Sequence, residues 1–518
     1  MLRNLFKKIT VLKELFFLSE QDKLFVNFSK QLWDKKDKNT NGELLVDQMF
    51  YDLYIFQLSY LTNYIKKVHN LESKHYHFIG REKKQLIYFF KYFRKFSRIN
   101  KLYNSFGSGY GFGQKYFKKS EEICSKLKFS SKKELLNYKI EGILVGDLIY
   151  DTYLRTFEQP TVDLEDDRLK TILLNAHDIF YTVKEYLENH NVQKIIISHA
   201  VYIQYGILGR VALEKKIDVY NTHWERIIKK LSLDHFVPTP RHHLYRDAFS
   251  KLPNQQQKRI EAEEVLQSRF AGNIDRGIAY MKKSSFSSEN TLNEKVFRDD
   301  GSTKVALLLH CFYDAPHIYQ HMLFEDFYEW VNFVFSAVKD QKIDFVVKPH
   351  PNAKPFNKNI IEKLTLDHPH IKILDLSVTN KHIIEEGVDL VLTVYGTSTH
   401  EYAYHDVKVM TAGDHPGFNY NFSFTPQSKE EYKKYILDPD KLKINIKKEE
   451  IQEFFYMHYL HPGSGRIVGN NDVFYVRTRD FSQENKLIFK ELVTDAKNGL
   501  FNDAFSSFNE AFNQVDLK

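Results

Sequence analysis

Short apolar segments alternate with longer segments of helical periodicity, such as 166–189, along most of this 518-residue chain. The apolar segments have the length of buried strands and lie at 43–47, 75–80, 142–146, 194–198, 217–220, 304–309, 344–348, 371–374, 390–393 and 407–410. Strands that alternate with helices over short connections are typical of parallel sheets covered by helices. A polar, mostly helical stretch separates the fifth segment from the sixth. The chain is therefore predicted to be an α/β protein with two Rossmann-like domains.

Two domains of this kind face each other across a cleft between the carboxyl ends of their strands, where ligands usually bind. At about 150 residues per domain, the length accommodates two large domains with additional helices. We expect an N-terminal Rossmann-like domain over 1–240, a helical bridge over 241–300, a C-terminal Rossmann-like domain over 301–480 and C-terminal helices over 481–518. Further helices are expected at the N-terminus.

Composition excludes several other classes of protein. The chain has 2 cysteines, Cys124 and Cys311, which excludes a disulfide framework and the common cysteine-rich zinc sites and fits a reducing compartment. The net charge of +7 is spread along the chain, so it suits an anionic ligand without forming the basic patch typical of nucleic-acid binding. The chain also lacks the run of about 18 apolar residues that a membrane-spanning helix needs.

Three segments admit more than one interpretation. Residues 1–25 have helical spacing with interspersed lysines, so a docking helix is favoured over a helix lying on a membrane surface. Residues 82–104 interleave basic and aromatic side chains, which can bind single-stranded nucleic acid, but their spacing favours an amphipathic helix. The glycine-rich segment 106–113 follows no clear strand and is a weak candidate for a phosphate-binding loop.

The strongest candidate site begins where the segment 344–348 ends. Lys348 closes this strand, and His350, Pro351 and Asn352 follow it. In a parallel sheet this position lies at the ligand-binding edge. The histidine is expected to donate a hydrogen bond to a phosphate. The alternative is that the prolines only end the strand.

A second group of polar residues follows the segment 390–393 and opens a helix. Gly396 permits a tight turn, and the residues after it are Thr397, Ser398, Thr399 and, within the first turn, Glu401. Hydroxyl and amide donors at a helix start, with its partial positive charge, favour an anion. The glutamate is expected to accept hydrogen bonds from ribose hydroxyls. The alternative is simple helix capping, but both motifs at strand ends of one α/β unit favour a nucleotide-phosphate site.

The His350–Pro351 motif, followed by a Ser/Thr-rich helix start, resembles the donor half of GT-B glycosyltransferases. It is most similar to bacterial capsule and lipopolysaccharide enzymes, namely the CMP-Kdo transferases, the CMP-sialic acid transferases and the related CDP-glycerol polymerases. The resemblance covers roughly residues 300–420 and implies that His350, Pro351, Thr397, Ser398 and Thr399 hold the nucleotide phosphate. Some of these families have paired serines where this chain has Thr-Ser-Thr.

The segment after 304–309 contains His310, Asp314 and His317. We expect these side chains to make polar contacts in a loop that closes over the donor. They could instead ligate a metal, but their spacing matches no recognised zinc pattern, so neither a metal nor a cofactor is expected.

The first domain is expected to bind the acceptor and supply the base. Asp147 follows the segment 142–146, and Asp151 lies one helical turn further on, so a carboxylate here could remove the proton of an acceptor hydroxyl. An N-cap role for Asp147 is equally compatible with its position. Arg155 is a candidate contact for an anionic sugar or phosphate, with a surface ion pair as the alternative.

The segment 194–198 ends at a second candidate base. His199 follows it directly, with Tyr202 and Arg210 beyond as further candidate substrate contacts. A position at a strand end favours a functional histidine, although a lone histidine is more often structural.

These observations predict a metal-independent glycosyltransferase that moves a sugar from a nucleotide sugar onto a surface polysaccharide or glycolipid. The resemblance favours an ulosonic acid such as Kdo from a CMP donor. Alternatives are a CDP-glycerol-type polymer phosphotransferase, a non-hydrolysing nucleotide-sugar epimerase and a non-catalytic glycan-assembly scaffold; nucleic-acid binding ranks last. We expect a cytoplasmic protein and leave open a peripheral contact with the inner membrane.

Overall fold

Two β-sheets, one parallel throughout and one parallel except for an edge strand, form the centres of the two halves of the chain. The computed structural model describes residues 18–33, 40–81, 86–222, 228–237, 242–275, 278, 281, 284–287, 295–319, 321–350, 355–461 and 488–515. The predicted fold class is confirmed, because the chain is an α/β protein with two Rossmann-like halves and further helices at both ends of the described chain.

The first half contains a six-stranded sheet and a small hairpin. Its strands are β1 (Glu43–Asp47), β2 (Glu72–His77), β3 (Ser108–Gly113), β4 (Lys139–Ile140), β5 (Ile143–Leu144), β6 (Val192–Ile197), β7 (Asp218–Thr222) and β8 (Ile228–Lys230). The sheet order is β3-β2-β1-β6-β7-β8, and its strands are parallel except β8, which pairs antiparallel with β7. The hairpin consists of β4 and β5.

Helices cover both faces of this sheet. They are α1 (Glu20–Trp33), α2 (Asp52–His69), α3 (Leu86–Ser105), α4 (Lys118–Cys124), α5 (Lys132–Leu136), α6 (Gly146–Phe157), α7 (Asp167–Asn189) and α8 (Ile203–Glu214). Side chains of a strand alternate between its faces. Accordingly, Leu45 and Ile195 pack in a core with α6, α7 and α8, whereas Val46 and Ile196 pack in a second core with α2 and α3. The strands are therefore apolar on both sides, as expected of a covered parallel sheet.

The second half contains a five-stranded sheet in which every strand pair is parallel. Its strands are β9 (Thr303–Leu308), β10 (Ile343–Lys348), β11 (Lys372–Ile373), β12 (Leu390–Thr393) and β13 (Lys408–Thr411), in the order β11-β10-β9-β12-β13. Its helices are α9 (Tyr245–Ser250), α10 (Gln255–Phe270), α11 (Phe327–Val338), α12 (Pro355–Asp367), α13 (Asn380–Glu385), α14 (Ser398–Tyr404), α15 (Lys429–Leu437) and α16 (Lys448–Phe455).

Two C-terminal helices, α17 (Ile488–Lys497) and α18 (Ala504–Val515), return to the first half. Phe489 stacks on Phe25 with ring centroids 4.4 Å apart, and Phe512 meets the ring of Tyr220 at 5.1 Å. Buried aromatic pairs contribute strongly to packing, so the end of the chain completes the core on one face of the first sheet. Of the helices that the structure describes, none is long and apolar enough to cross a bilayer.

Two segments differ from their predicted structure. The glycine-rich segment 106–113 is not a loop, because most of it forms the edge strand β3. The segment 142–146 does not enter the parallel sheet but contains β5 of the hairpin, and α6 begins at Gly146. A side chain at Gly146 would place its Cβ 1.9 Å from the carbonyl oxygen of Leu135, so the packing requires glycine. Asp147 therefore lies in the first turn of a helix and not at the end of a sheet strand.

Each sheet reverses its strand order once. In the first sheet, β2 and β3 are added on one side of β1, and β6 then pairs on the other side of β1. In the second sheet, β10 and β11 are added on one side of β9, and β12 then pairs on the other side of β9. Connections leave such a switch point in opposite directions and open a crevice for a ligand. Asp47 and Ser198 border the first switch point, whereas His310 and Tyr395 border the second.

Candidate active site

Side chains from three strand ends meet at the switch point of the second sheet. His310 follows β9, His350 follows β10 and Tyr395 follows β12. Tyr319 joins two of these segments, since its hydroxyl lies 3.3 Å from Nε2 of His310 and its ring centroid 4.3 Å from that of Tyr395. The rings of His310 and His350 are 6.3 Å apart. The structure thus brings together two histidines that the sequence places in separate motifs.

Burial governs the charges at the end of β10. It lowers the pKa of Lys348 to about 8, against the opposing effect of Glu401. It also lowers the pKa of His350 to about 4, with smaller contributions from His310 and Lys348. At neutral pH the imidazole is therefore uncharged, whereas the lysine keeps most of its charge. A bound anion would raise both pKa values because it stabilises the charged forms.

Two predicted members of this motif, Pro351 and Asn352, lie outside the described residues.

The hydroxyl residues at the start of α14 differ in exposure. Thr397 and Ser398 are half-buried, whereas Thr399 is fully buried and its Oγ1 has no hydrogen-bond partner among the described residues. A Cβ at Gly396 would lie 2.9 Å from Oγ of Ser398, so the serine side chain packs closely against this turn. Thr397 and Ser398 are therefore the more exposed of the three hydroxyl residues, and the hydroxyl of Thr397 also hydrogen-bonds to Glu401.

Glu401 lies beside this edge, where it interacts with Thr397 and Lys348, but it is buried and not open to a ribose as the sequence predicts. It is 3% exposed and accepts a hydrogen bond from Nη1 of Arg269 at 3.1 Å. Burial raises its pKa, and the arginine counteracts that effect. Arg269, on α10, is itself fully buried and also donates to Asp275 with a distance of 2.7 Å. The structure therefore gives Glu401 the role of a partner in a buried ion pair and not that of a ribose contact.

The two halves meet at an Asp–His pair. His317, in the short 3₁₀ turn Pro316–Ile318, donates from Nδ1 to Asp151 of α6 over 2.6 Å. Burial disfavours a charge on His317, but the carboxylate outweighs burial and raises the pKa of the ring. Its buried Nε2 has no partner among the described residues. The carboxylate thus fixes the tautomer of the imidazole and leaves Nε2 to act on another group.

Three further predicted residues lie close to this pair. The guanidinium of Arg155 is 5.2 Å from the ring centroid of Tyr313, the charge of Asp314 acts on it, and the phenol of Tyr202 lies nearby. Tyr202 has a φ of 65°, a left-handed conformation that is strained for a bulky residue. Such strain is often stored at functional sites. The boundary therefore joins predicted residues from both halves.

Asp326 forms a second connection between the halves. One of its oxygens caps α11 through the backbone N–H of Glu329 at 2.8 Å. The other accepts hydrogen bonds from Tyr150, at 2.6 Å, and from Thr161, and Nζ of Lys132 lies 3.7 Å away. Sequence reasoning missed this aspartate. Its spacing to Glu329 is an N-terminal capping signal, but that signal does not reveal the contacts with the first half.

Asp147 and Arg210, predicted as a base and a substrate contact, bind each other. Both carboxylate oxygens accept hydrogen bonds from the guanidinium at 2.6 Å, and the arginine also donates to the carbonyl of Leu144 at 2.8 Å. Both side chains are largely buried. This bidentate pair joins α6 to α8. Of the two predicted carboxylates, Asp151 is thus the one with a partner in the second half.

The switch point of the first sheet carries a hydrogen-bonded array. The hydroxyl of Ser198 donates to Asp47, and the backbone N–H of Ser198 donates to the same oxygen at 3.3 Å. Nδ1 of His199 lies 2.9 Å from Oγ of Ser198. The sequence predicts His199 but not Asp47, although Asp47 also ends a predicted strand. Its position at a strand end, like that of His199, was the signal by which Asp47 could have been predicted.

Asp47 is expected to make folding stability depend on pH. Burial raises its pKa from 3.8 to about 7, although hydrogen bonds from Ser198 oppose the shift. The folded state then holds a proton that the unfolded state releases between these values, so this group reduces stability as the pH rises from 4 to 7. Relative to the wild type, Asp47→Asn should gain up to about 4 kcal/mol of unfolding free energy over this range. Urea unfolding of both proteins at pH 4 and pH 8 measures this gain. A difference in unfolding free energy between the two proteins that is the same at both pH values would contradict the prediction.

Within the described residues, no group of three or more His, Cys, Asp or Glu side chains is arranged to hold a metal ion.

Comparisons with known proteins find weak likenesses among solved structures. No family model and no curated protein matches the sequence. The beta Kdo 2,4 transferase KpsC of Thermosulfurimonas dismutans matches at 12% identity and a TM-score of 0.33, over 54% of this chain and 86% of that one. UDP-GlcNAc 2-epimerase from Neisseria meningitidis matches at 10% and 0.22, over 80% and 97%. A glycosyltransferase from Rickettsia africae matches at 11% and 0.25, over 88% and 99%. Likenesses this weak do not bear on substrate or reaction.

Proposed function

We propose that the protein is a glycosyltransferase that moves a sugar from a nucleotide bound to the second half onto an acceptor bound to the first. The pair of Asp151 and His317 carries this proposal. It joins a carboxylate of one half to an imidazole of the other, on the connection that follows β9. A transfer between two bound substrates needs its reacting groups held together, and a pair contributed by both halves meets that need.

The nucleotide phosphate is proposed to lie at the carboxyl ends of β9, β10 and β12. Lys348 supplies positive charge there, and the neutral ring of His350 supplies a hydrogen bond. Thr397 and Ser398 offer hydroxyls from the neighbouring strand end. Donors that are already in place stabilise the charge that develops on the departing phosphate, which is commonly a large contribution to catalysis.

The acceptor hydroxyl forms a bond to the anomeric carbon of the sugar as the bond from that carbon to the phosphate oxygen breaks. The phosphate oxygen keeps the electron pair. The proton of the hydroxyl passes to Nε2 of His317, while Nδ1–H remains bonded to Asp151. His199, at the end of β6, is proposed to contact the acceptor.

For the donor we favour a CMP-activated ulosonic acid such as Kdo, and for the acceptor a surface polysaccharide or glycolipid. The motifs at His350 and at Thr397–Thr399 support the donor, because their residue types resemble those of CMP-Kdo and CMP-sialic acid transferases. Arg155, at the boundary, offers a cation suited to the carboxylate of such a sugar. We place the protein in the cytoplasm, where it could also contact the inner membrane peripherally.

CMP is expected to raise the melting temperature of the wild-type protein, since a ligand that binds only the folded state stabilises it. His350→Ala should weaken CMP binding by about tenfold, the equivalent of one lost hydrogen bond of roughly 1.4 kcal/mol. Thermal shift titrations with CMP, CDP, UDP and GDP measure both effects.

The control variant is His370→Ala, because His370 is an exposed histidine that precedes β11 and lies at the opposite edge of the same sheet. It should bind CMP as the wild type does. If none of the four nucleotides stabilises the wild type, the donor site is wrong. If UDP or GDP stabilises it and CMP does not, the CMP donor is wrong.

A further inference from the structure

A buried carboxyl group is linked to a strand-end histidine across the switch point of the first sheet. Asp47 ends β1, and Ser198 and His199 follow β6, the neighbouring strand. Asp47 and Ser198 are 5% and 3% exposed. Oγ of Ser198 contacts both the carboxyl group of Asp47 and Nδ1 of His199. Among the described residues, the serine hydroxyl therefore connects the acid to the ring, and the phenol of Tyr205 also hydrogen-bonds to this serine.

The direction of these hydrogen bonds follows from the number of protons. A hydroxyl has one hydrogen to donate. When Asp47 is ionised it can only accept, so the serine hydroxyl donates to it and must accept from the ring. Nδ1 of His199 then carries the proton, and in the neutral ring the lone pair is on Nε2. A protonated Asp47 permits the reverse arrangement, in which the serine donates to Nδ1 and Nε2 carries the hydrogen.

We propose that Asp47 is a positioning residue that sets the tautomer of His199 through the hydroxyl of Ser198 and thereby decides whether Nε2 accepts or donates a hydrogen bond. In the ionised state of Asp47, His199 presents an acceptor to the hydroxyl group of a glycan. That last consequence rests on the proposed function, whereas the tautomer itself does not.

The surroundings of Asp47 place this exchange near neutral pH. Burial raises its pKa to about 7. The titratable groups that face it are phenols on three neighbouring elements, Tyr76 of β2, Tyr103 of α3 and Tyr205 of α8. Burial raises the pKa of each phenol above its usual value, so all three remain neutral while Asp47 titrates. The ring of Tyr205 also stacks on His199 at 5.0 Å.

The experiment measures the ring nitrogens of His199 by NMR on the full chain labelled with ¹⁵N-histidine, at pH 8.5 and without ligand. The His199 signals are assigned by their loss in His199→Gln. We expect the Nδ1–H tautomer in the wild type and in Ser198→Thr, which keeps the hydroxyl. Ser198→Ala, which removes it, should shift the population toward the Nε2–H tautomer at least severalfold.

An Nε2–H ring in the wild type, or an unchanged Nδ1–H ring in Ser198→Ala, would overturn the inference. If Ser198→Ala does not fold, Asp47→Leu provides the second test: the carboxylate that takes the serine proton is gone, the hydroxyl can donate to the ring, whose nitrogen is a stronger acceptor than the phenol of Tyr205, and the Nε2–H form should gain. A wild type that transfers no sugar would refute the proposed function and leave the tautomer result standing. If the wild type transfers sugar but the tautomer of His199 is unchanged in both Ser198→Ala and Asp47→Leu, this inference alone is refuted.

Discussion

Replacing His317 by glutamine is expected to lower the turnover number for sugar transfer by a factor on the order of 100 to 10,000, the usual contribution of a positioned general base. Glutamine can keep a hydrogen bond to Asp151 but cannot take up the proton of the acceptor. CMP binding should stay close to that of the wild type, because the side chains proposed to contact the phosphate belong to the ends of β10 and β12, whereas His317 follows β9. Transfer kinetics and thermal shift titrations on the same preparations separate the two effects.

His321→Gln is the matched control, since His321 also forms a pair with an aspartate, Asp414, but its side chain is 79% exposed. This variant should keep wild-type turnover. Equal losses in both variants, or full activity in His317→Gln, would remove His317 from the base role.

The pH profile of the same reaction provides an independent expectation. A base must be neutral to accept a proton, so the rate should fall as the pH drops through the pKa of His317. The carboxylate of Asp151 raises that pKa above 6.5. In Asp151→Asn the acidic limb should therefore move to lower pH, with turnover reduced on the order of 100- to 10,000-fold because the ring is no longer held in one tautomer. An unmoved limb would show that another group titrates.

Most of the fold follows from periodicity within short windows of sequence. The helix predicted over 166–189 is Asp167–Asn189, and the strand predicted over 344–348 is Ile343–Lys348. Both signals come from neighbouring residues, which is why a single sequence contains them. The prediction that the segment 142–146 joins the parallel sheet was wrong, because a short apolar run does not reveal whether it enters a sheet or a hairpin.

The candidate site was predictable only as far as strand ends. Residues after a parallel strand share one edge of the sheet, so the positions of His310 and His350 in the sequence are enough to group them. Pairings between distant residues could not be predicted, because they depend on how whole elements pack. Asp147 binds Arg210, and the order of the sequence offers no reason to expect this pair.

The ion pairs of Arg269 could not be predicted from the sequence either, and removing this arginine should cause the largest change in stability. It is fully buried on α10 and binds Asp275 and Glu401. Removing one partner of a buried ion pair leaves an uncompensated charge, which costs about 3–5 kcal/mol. Arg269→Ala should therefore lower the free energy of unfolding by about that amount, measured by urea denaturation. Lys251→Ala, which breaks the exposed pair with Asp247, should cost far less, because water screens the attraction between exposed charges.

Glu401→Gln distinguishes a structural from a ligand-binding role for this glutamate. Glutamine keeps the shape, and Arg269 retains Asp275, so the loss of stability should be smaller than in Arg269→Ala. CMP binding should persist, because the carboxylate is buried and bonded to the arginine. Loss of CMP binding with unchanged stability would instead restore the ribose contact. Glu401 lies in the helix that begins at Thr397 and Ser398. The bond from Arg269 to Glu401 therefore also fixes the position of the helix that carries the hydroxyls of the proposed phosphate site.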